Sequence, residues 1–194
     1  MCVRKYISLG LTALMLLSGW GCAPRFRPEA SGGVTLQPGR YLNACYRAPD
    51  FAPARLTYSL TPFSVDAARG LTPETFGPLF QAELAQALKA NGLELAPAAD
   101  AAGISGAVHL VKISGPVYRF IFGKISADLI VSGSITQGEQ TLFAFQDRVQ
   151  VSSPANPGLA APKEVELLLR LAVKTFAAHL LTELLIYGVP EAAG

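Results

Sequence analysis

The chain has 194 residues, of which 51% are hydrophobic and 15% are charged, a composition that excludes a mostly disordered protein. Sixteen Lys and Arg residues oppose fourteen Asp and Glu residues, and both Arg4 and Lys5 precede the first apolar run, so the remainder is neutral (14 basic, 14 acidic). Neutrality argues against a nucleic-acid binder, which neutralises phosphates with a basic patch. The length suits one domain with a hydrophobic core.

Residues 1–21 have the organisation of a secretory signal peptide. Arg4 and Lys5 precede an apolar run from Tyr6 to Leu17, and small residues follow at the end of the leader. The run is shorter than the roughly 20 apolar residues that a membrane-spanning helix needs. The sequence therefore predicts export.

The end of the leader resembles a bacterial lipoprotein signal, in which a small residue precedes a cysteine that becomes the lipidated N-terminus. Gly21 before Cys22 matches this pattern, so Cys22 is the predicted lipidation site, with ordinary cleavage nearby as the alternative. Ala23, rather than Asp, follows the cysteine, and the resemblance then implies the outer membrane, with the domain facing the periplasm. Residues 22–33 are predicted to be a lipidated tether.

Cys45 is the second cysteine that remains after removal of the leader. If Cys22 carries lipid, Cys45 is a lone thiol, and if it does not, the two could form one disulfide. No CxxC pair accompanies them and the two histidines are far apart, so we expect no metal site and no cofactor. Nothing near Cys45 suggests an activating base, and we expect a buried or inert side chain.

Residues 34–54 contain three prolines among aromatic residues and are predicted to be irregular, whereas 55–190 are predicted to form an α+β domain. Alternating apolar and polar residues predict a strand over Arg55–Val65. Thr72-Pro73-Glu74 is a typical helix start and Asn91-Gly92 a typical stop.

The rest of the domain reads as a meander and a closing helix. A short strand over Leu93–Leu95 is followed by stronger alternation, and a Gly-containing turn at 137–139 predicts a hairpin. The predicted elements are strands over Gly106–Ser114, Lys124–Thr136 and Gln140–Ser152, then a helix over Lys163–Tyr187. The order strand, helix, meander, helix predicts an α+β two-layer sandwich, with about four mostly antiparallel strands and two helices on one face. Serines and threonines on the opposite face would meet water.

The leader, the helix end Leu88–Leu95, the meander and the closing helix together resemble the LptE-type lipopolysaccharide-assembly lipoproteins over most of residues 22–187. The layout is similarly close to uncharacterised Gram-negative envelope lipoproteins. The resemblance implies an outer-membrane lipoprotein that docks to a β-barrel translocon without catalysis. It carries over no binding residues.

Candidate catalytic residues are few. The sequence contains no GxSxG, HExxH, GxGxxG or P-loop motif. His109 on a strand and His179 on an apolar helix are interpreted as structural residues. Asp128 and Asp147 lie on neighbouring strands and could form a carboxylate pair, but we interpret them as surface charges. We therefore expect no enzyme, although convergent residues distant in sequence remain an alternative.

Two features indicate interaction surfaces. The first is the apolar segment Gly115–Gly123 between two strands, where Tyr118, Phe120 and Phe122 would contact a partner or a membrane surface if they are not buried. The second is the closing helix. Leu167 and Leu171 lie on a flank beside a polar stripe, away from the face that the sheet requires.

These observations predict a non-enzymatic accessory or assembly lipoprotein that acts through protein contacts, with an envelope protein such as an outer-membrane β-barrel as partner. The alternatives are a small lipid- or glycan-binding periplasmic module and a hydrolase that uses scattered residues.

Overall fold

The computed structural model describes residues 33–66, 68–69, 73–97, 100–114, 124–154 and 162–185. Within these ranges the chain forms strands, two α-helices and one short 3-10 helix. In chain order they are β1 (Ala44–Arg47), the 3-10 helix (Pro53–Arg55), β2 (Thr57–Leu60), β3 (Ser64–Val65), β4 (Ala68–Arg69), α1 (Pro73–Ala90), β5 (Glu94–Leu95), β6 (Ala102–Ser114), β7 (Lys124–Gln137), β8 (Gln140–Pro154) and α2 (Pro162–Leu185).

The described strands belong to one mixed sheet of eight strands, with the order β1-β8-β7-β6-β2-β5 and with β3 and β4 also paired to β6. The meander β6–β7–β8 and the pair β1–β8 are antiparallel, as predicted for the meander. Strands β2, β3 and β4 run parallel to β6, and β5 runs parallel to β2. The predicted α+β class with two helices is confirmed, whereas the prediction of about four mostly antiparallel strands is wrong.

The extra strands arise partly because the predicted strand Arg55–Val65 is interrupted. β2 ends at Leu60 and β3 begins at Ser64, on either side of Pro62, which has no N–H to donate to a ladder. β6 is 13 residues long, so β2, β3 and β4 pair with successive parts of the same edge. Three short segments thereby replace one long strand.

The segment 34–54, predicted to be irregular, contributes strand β1 to the edge of β8. A further antiparallel bridge joins Gln37 to Cys45, with both N–H···O distances at 2.8 Å. On the sheet face opposite the helices, Leu36, Ala44 and Ala144 form a small buried cluster. The N-terminal segment is therefore part of the domain and covers one corner of the face that was expected to meet water.

Two glycines lie at the ends of secondary-structure elements, as predicted from the sequence. Gly138 has φ of +58° in the two-residue turn between β7 and β8, as a hairpin turn with glycine first requires. Gly92, with φ of +81°, follows α1. Its N–H donates to the carbonyl of Lys89 and that of Leu93 donates to the carbonyl of Leu88, which together make a Schellman motif.

The hydrophobic core lies between the two helices and one face of the sheet. A continuous series of aromatic rings connects the two helices to the sheet. The ring centroids are 5.2 Å apart for Phe63–Phe80, 5.8 Å for Phe80–Phe176 and 5.8 Å for Phe145–Phe176. Space for the ring of Phe145 exists because residue 133 is glycine; a Cβ there would lie 2.6 Å from that ring. α1, α2 and β8 are therefore held by one shared core.

Candidate functional site

The closing helix α2 exposes an apolar flank, which we call the α2 flank and define as Leu167, Leu171, Ala178 and Leu185. Leu167 is 66% exposed and Leu171 is 47% exposed, whereas Phe176 on the opposite side of the helix is fully buried. Neither α1 nor the described part of the N-terminal segment covers these two leucines. The predicted excess of apolar surface on this helix is therefore present.

Two threonines on the same side of α2 use their hydroxyl protons in hydrogen bonds within the helix. Thr175 Oγ1 donates to the carbonyl of Leu171 at 2.8 Å, and Thr182 Oγ1 donates to the carbonyl of Ala178 at 2.7 Å. Because both protons are used within the helix, the threonines offer mainly their methyl groups to a partner.

Several predicted site residues lie outside the described residues. Cys22, the predicted lipidation site, and the leader 1–21 fall before residue 33, and Tyr118, Phe120 and Phe122 fall between β6 and β7. Their roles stay predictions.

The polar stripe of α2 makes contact with α1 through a buried acid. Glu83 of α1 is 6% exposed and pairs with Arg170, while Lys174 lies 3.8 Å from its second oxygen. Arg170 also pairs with Glu166 one turn earlier, at 2.8 Å. Part of the stripe is therefore used to join the two helices, whereas Leu167 and Leu171 of the α2 flank remain exposed.

Two further buried carboxylates bind the N-terminal segment. Glu183, 8% exposed near the end of α2, accepts hydrogen bonds from the successive backbone N–H groups of Arg40, Tyr41 and Leu42, with Oε2 distances of 3.1, 2.7 and 3.3 Å. Asp147 accepts the next N–H, that of Asn43, at 3.2 Å. We call residues 40–43 the strap.

Asp147 is also the hydrogen-bond partner of His179. Its Oδ2 lies 2.8 Å from His179 Nδ1, and the carboxylate is 2% exposed on the face covered by the helices. The interpretation of Asp147 as a surface charge is wrong, because register places it beside the core. Asp128 instead lies on the opposite face, where Arg148 binds it at 2.6 and 3.0 Å. The two carboxylates do not form a pair.

Cys45 lies beside the strap and is half-buried. Its Sγ is 3.8 Å from Glu183 Oε1, and burial, followed by the charge of Glu183, raises the pKa of the thiol to about 11. It forms no disulfide within the described residues. This environment fits the predicted inert thiol, because the thiolate is the reactive form.

We expect iodoacetamide to modify Cys45 of the folded protein slowly at pH 8 and to reach its maximum rate only as the pH rises towards 11, since the raised pKa keeps the thiol protonated. Urea-unfolded protein is the control and should reach its maximum near the ordinary pKa of about 9. The measurement is the rate of peptide-mapped alkylation against pH. Equal profiles in the two states would contradict the shift.

A second polar set lies on the sheet face opposite the helices. His109 Nδ1 is 2.8 Å from Asp66 Oδ2, and His109 Nε2 is 2.6 Å from Ser132 Oγ. The side chains of His109 and Asp66 are 43% and 49% exposed. His109 therefore connects a carboxylate to a hydroxyl group at a solvent-exposed position. We call Asp66, His109 and Ser132 the Ser132 triad.

The sequence interpretation missed this triad. Its three members are separated by 43 and 23 residues, so no local motif connects them. One signal was present in the sequence of β6: large apolar residues occupy even positions as far as Leu110 and then the odd positions Val111 and Ile113. Such a change of parity indicates a β-bulge, and bulges occur near functional sites.

The described residues offer few other binding sites. No group of three or more His, Cys, Asp or Glu side chains among them is arranged to hold a metal ion. Within the same ranges, no helix combines the length and hydrophobicity that crossing a bilayer takes. An open cleft of about 250 Å³ lies between α1 and the β2–β5 edge, lined by residues that include Leu60, Gln81 and Leu95.

No protein-family model matches the chain, and no curated protein sequence matches it. It is similar in structure to a minor lipoprotein from Acinetobacter baumannii, with 15% identity over 71% of this chain and 96% of that chain and a TM-score of 0.44. It is also similar to PelC, a dodecamer from Paraburkholderia phytofirmans (14% identity, 75% and 98%, TM-score 0.46), and to a putative lipoprotein from Caulobacter crescentus (12%, 63% and 88%, 0.42). At these identities and TM-scores, the likenesses assign neither a family nor a function to this chain.

Proposed function

We propose that this chain is a lipid-anchored lipoprotein of the outer membrane, facing the periplasm, which acts as an accessory or assembly factor through protein contacts. Lipopolysaccharide assembly is the specific process that we propose, and an outer-membrane β-barrel is the proposed partner. The leader ending in Gly21-Cys22 supports the anchor, and the tether that follows would hold the domain near the bilayer.

The observation that carries the contact role is the α2 flank. Two large aliphatic side chains one turn apart, Leu167 and Leu171, are exposed on a helix whose other side is buried in the core. Single exposed leucines are ordinary, but adjacent ones on a rigid helix form the apolar centre that protein interfaces use. Binding a partner would remove this surface from water.

The anchor predicts that Cys22→Ser moves the protein from the membrane fraction to the soluble periplasmic fraction, because the acylated residue is lost. The measurement is fractionation of cells followed by immunoblotting, and Cys45→Ser is the matched control that should stay in the membrane fraction. Wild-type protein that is soluble and contains a Cys22–Cys45 disulfide would contradict the anchor.

The contact role is tested by a photocrosslinking amino acid at position 171 in cells. We expect one crosslinked product, identified by mass spectrometry as an outer-membrane β-barrel protein, because residue 171 lies within the proposed interface. Position 150, exposed on β8 on the other face of the sheet, is the control and should give no such product. The same products from both positions, or none from 171, would contradict the proposal.

A small lipid- or glycan-binding module is the second candidate, and the cleft beside α1 favours it. Apolar residues line much of this cleft, and the buried Oε1 of Gln81 has no hydrogen-bond partner. Mass spectrometry of the domain, purified without its covalent lipid anchor, distinguishes the two functions. A copurifying lipid or glycan supports the module, and a copurifying barrel protein supports the accessory factor.

A further inference from the structure

The Ser132 triad continues into a row of polar side chains that crosses adjacent strands. Ser132 on β7 lies directly opposite Gln146 on β8, and His109 and Asp66 follow on the other side of Ser132. Directly opposed residues have Cβ atoms about 4.5–5.5 Å apart and share a face of the sheet. The row Asp66–His109–Ser132–Gln146 therefore lies on one face of the sheet, across neighbouring strands.

Backbone geometry positions the two members that act on Ser132. The register between β6 and β7 shifts between Val108 and Leu110, so His109 has no cross-strand partner and its ring turns towards β7. Asp66 is placed beside it because its own N–H donates to the carbonyl of Val108 at 2.9 Å. The bulge and this bond together bring the carboxylate to Nδ1 and the hydroxyl to Nε2.

This connectivity is that of a nucleophile, a base and an orienting acid. Asp66 can only accept at Nδ1, so the neutral ring carries its proton there and Nε2 is the acceptor for the Ser132 hydroxyl. Gln146 is 8% exposed, and its buried Oε1 has no hydrogen-bond partner, so no bond at the oxygen fixes the orientation of the carboxamide. A side-chain amide beside a nucleophile is a suitable donor for the oxyanion of an acyl-transfer reaction.

We propose that this row is an esterase site. Ser132 Oγ bonds to the carbonyl carbon of a carboxylic ester while its proton passes to His109 Nε2, and Gln146 donates to the resulting oxyanion. The bond to the alcohol oxygen then breaks and that oxygen takes the proton from His109. Water hydrolyses the acyl-serine by the same route, releasing a carboxylic acid and restoring Ser132. Asp66 is a positioning residue, since it acts through the histidine.

The surroundings select a small acyl group. Leu110 and Ile130 are half-buried, directly opposed on neighbouring strands beside the row, and they provide a short apolar contact for an acyl group. The open face admits a large alcohol component. The site is separate from the α2 flank, which lies in the helix layer, so the proposed activity goes beyond the proposed accessory role.

The test uses the full-length protein in detergent with a fluorophosphonate, whose fluoride is displaced by an activated serine. We expect a single adduct that peptide mapping places on Ser132. Ser132→Ala should abolish it, whereas Ser134→Ala, two residues along the same strand and on the same face, should not. His109→Gln should slow labelling by about 10²–10⁴-fold, as loss of a general base does.

Hydrolysis of p-nitrophenyl acetate and decanoate tests the roles separately. We expect acetate to be preferred, Gln146→Leu to lower kcat by about 10²–10³-fold, and Asp66→Asn to lower kcat with KM unchanged. Melting temperatures of all variants should stay near that of the wild type. Absence of an adduct on Ser132, or equal ester hydrolysis by Ser132→Ala and wild type, would show that the row is only a hydrogen-bond network. Neither result bears on the crosslinking test of the accessory role.

Discussion

Phe176→Ala should lower the free energy of unfolding by about 3–5 kcal/mol, the range found for large aromatic truncations in cores. Phe176 is fully buried, and its ring contacts those of Phe80 on α1 and Phe145 on β8. Its removal opens a cavity at the point where both helices meet the sheet. Urea unfolding followed by circular dichroism measures the change.

Leu171→Ala is the matched control on the same helix. Its side chain is 47% exposed, so less apolar area leaves the folded protein and we expect a loss of at most about 1 kcal/mol. Leu167→Ala, at a position that is 66% exposed, should cost less still. Large and equal losses at all three positions would place the α2 flank inside the folded domain and contradict its role as an interface.

Glu183→Ala should destabilise the protein by about 1–3 kcal/mol. The substitution removes the acceptor of the N–H groups of Arg40, Tyr41 and Leu42, and a buried group left without a partner costs about 1–3 kcal/mol. The strap should then open locally. Amide hydrogen exchange of residues 40–43 and urea unfolding measure the two effects.

Glu183→Gln is the control for this prediction, because it keeps one acceptor oxygen and nearly the same volume. We expect it to lose less stability than Glu183→Ala and to retain partial protection of the Tyr41 amide, whose bond to Oε2 is the shortest of the three at 2.7 Å. Full protection of the strap in Glu183→Ala would show that β1 pairing alone holds this segment.

The elements that the sequence predicted correctly are those with long periodic patterns. β7 and β8 are 14 and 15 residues long and alternate over much of their length, and the apolar positions of α2 separate buried Phe176 from exposed Leu171 by helical periodicity alone. The two glycine signals succeeded because positive φ restricts the residue type. Periodicity and special backbone conformations are local, so one sequence reveals them.

The failures concern short elements and distant contacts. β3 and β4 have two residues each, too few for a periodic signal, and they form because β6 offers a long edge. Asp147, which is buried, was also interpreted as a surface charge. Glu183 binds Tyr41 across 142 residues of sequence, and no local pattern marks a carboxylate whose partners are backbone N–H groups. The Ser132 triad was missed for the same reason.

The bridge between Gln37 and Cys45 fixes the end of the sheet at which the chain enters the domain. Because residues 34–37 run antiparallel to β1, the chain enters the domain near the β7–β8 turn, where the N–H of Ala48 also binds the carbonyl of Leu142. The other end of β8, at Pro154, is twelve residues away, or about 40 Å at the rise of a strand. The turn of Gly138 therefore lies at the end of the sheet where the chain enters, and the ends of β6 and β7 that flank residues 115–123 lie at the opposite end. With the anchor that we propose at Cys22, the Gly138 turn would be the end of the domain nearer the bilayer, and a tether of about 36–40 Å at full extension would be barely as long as the sheet.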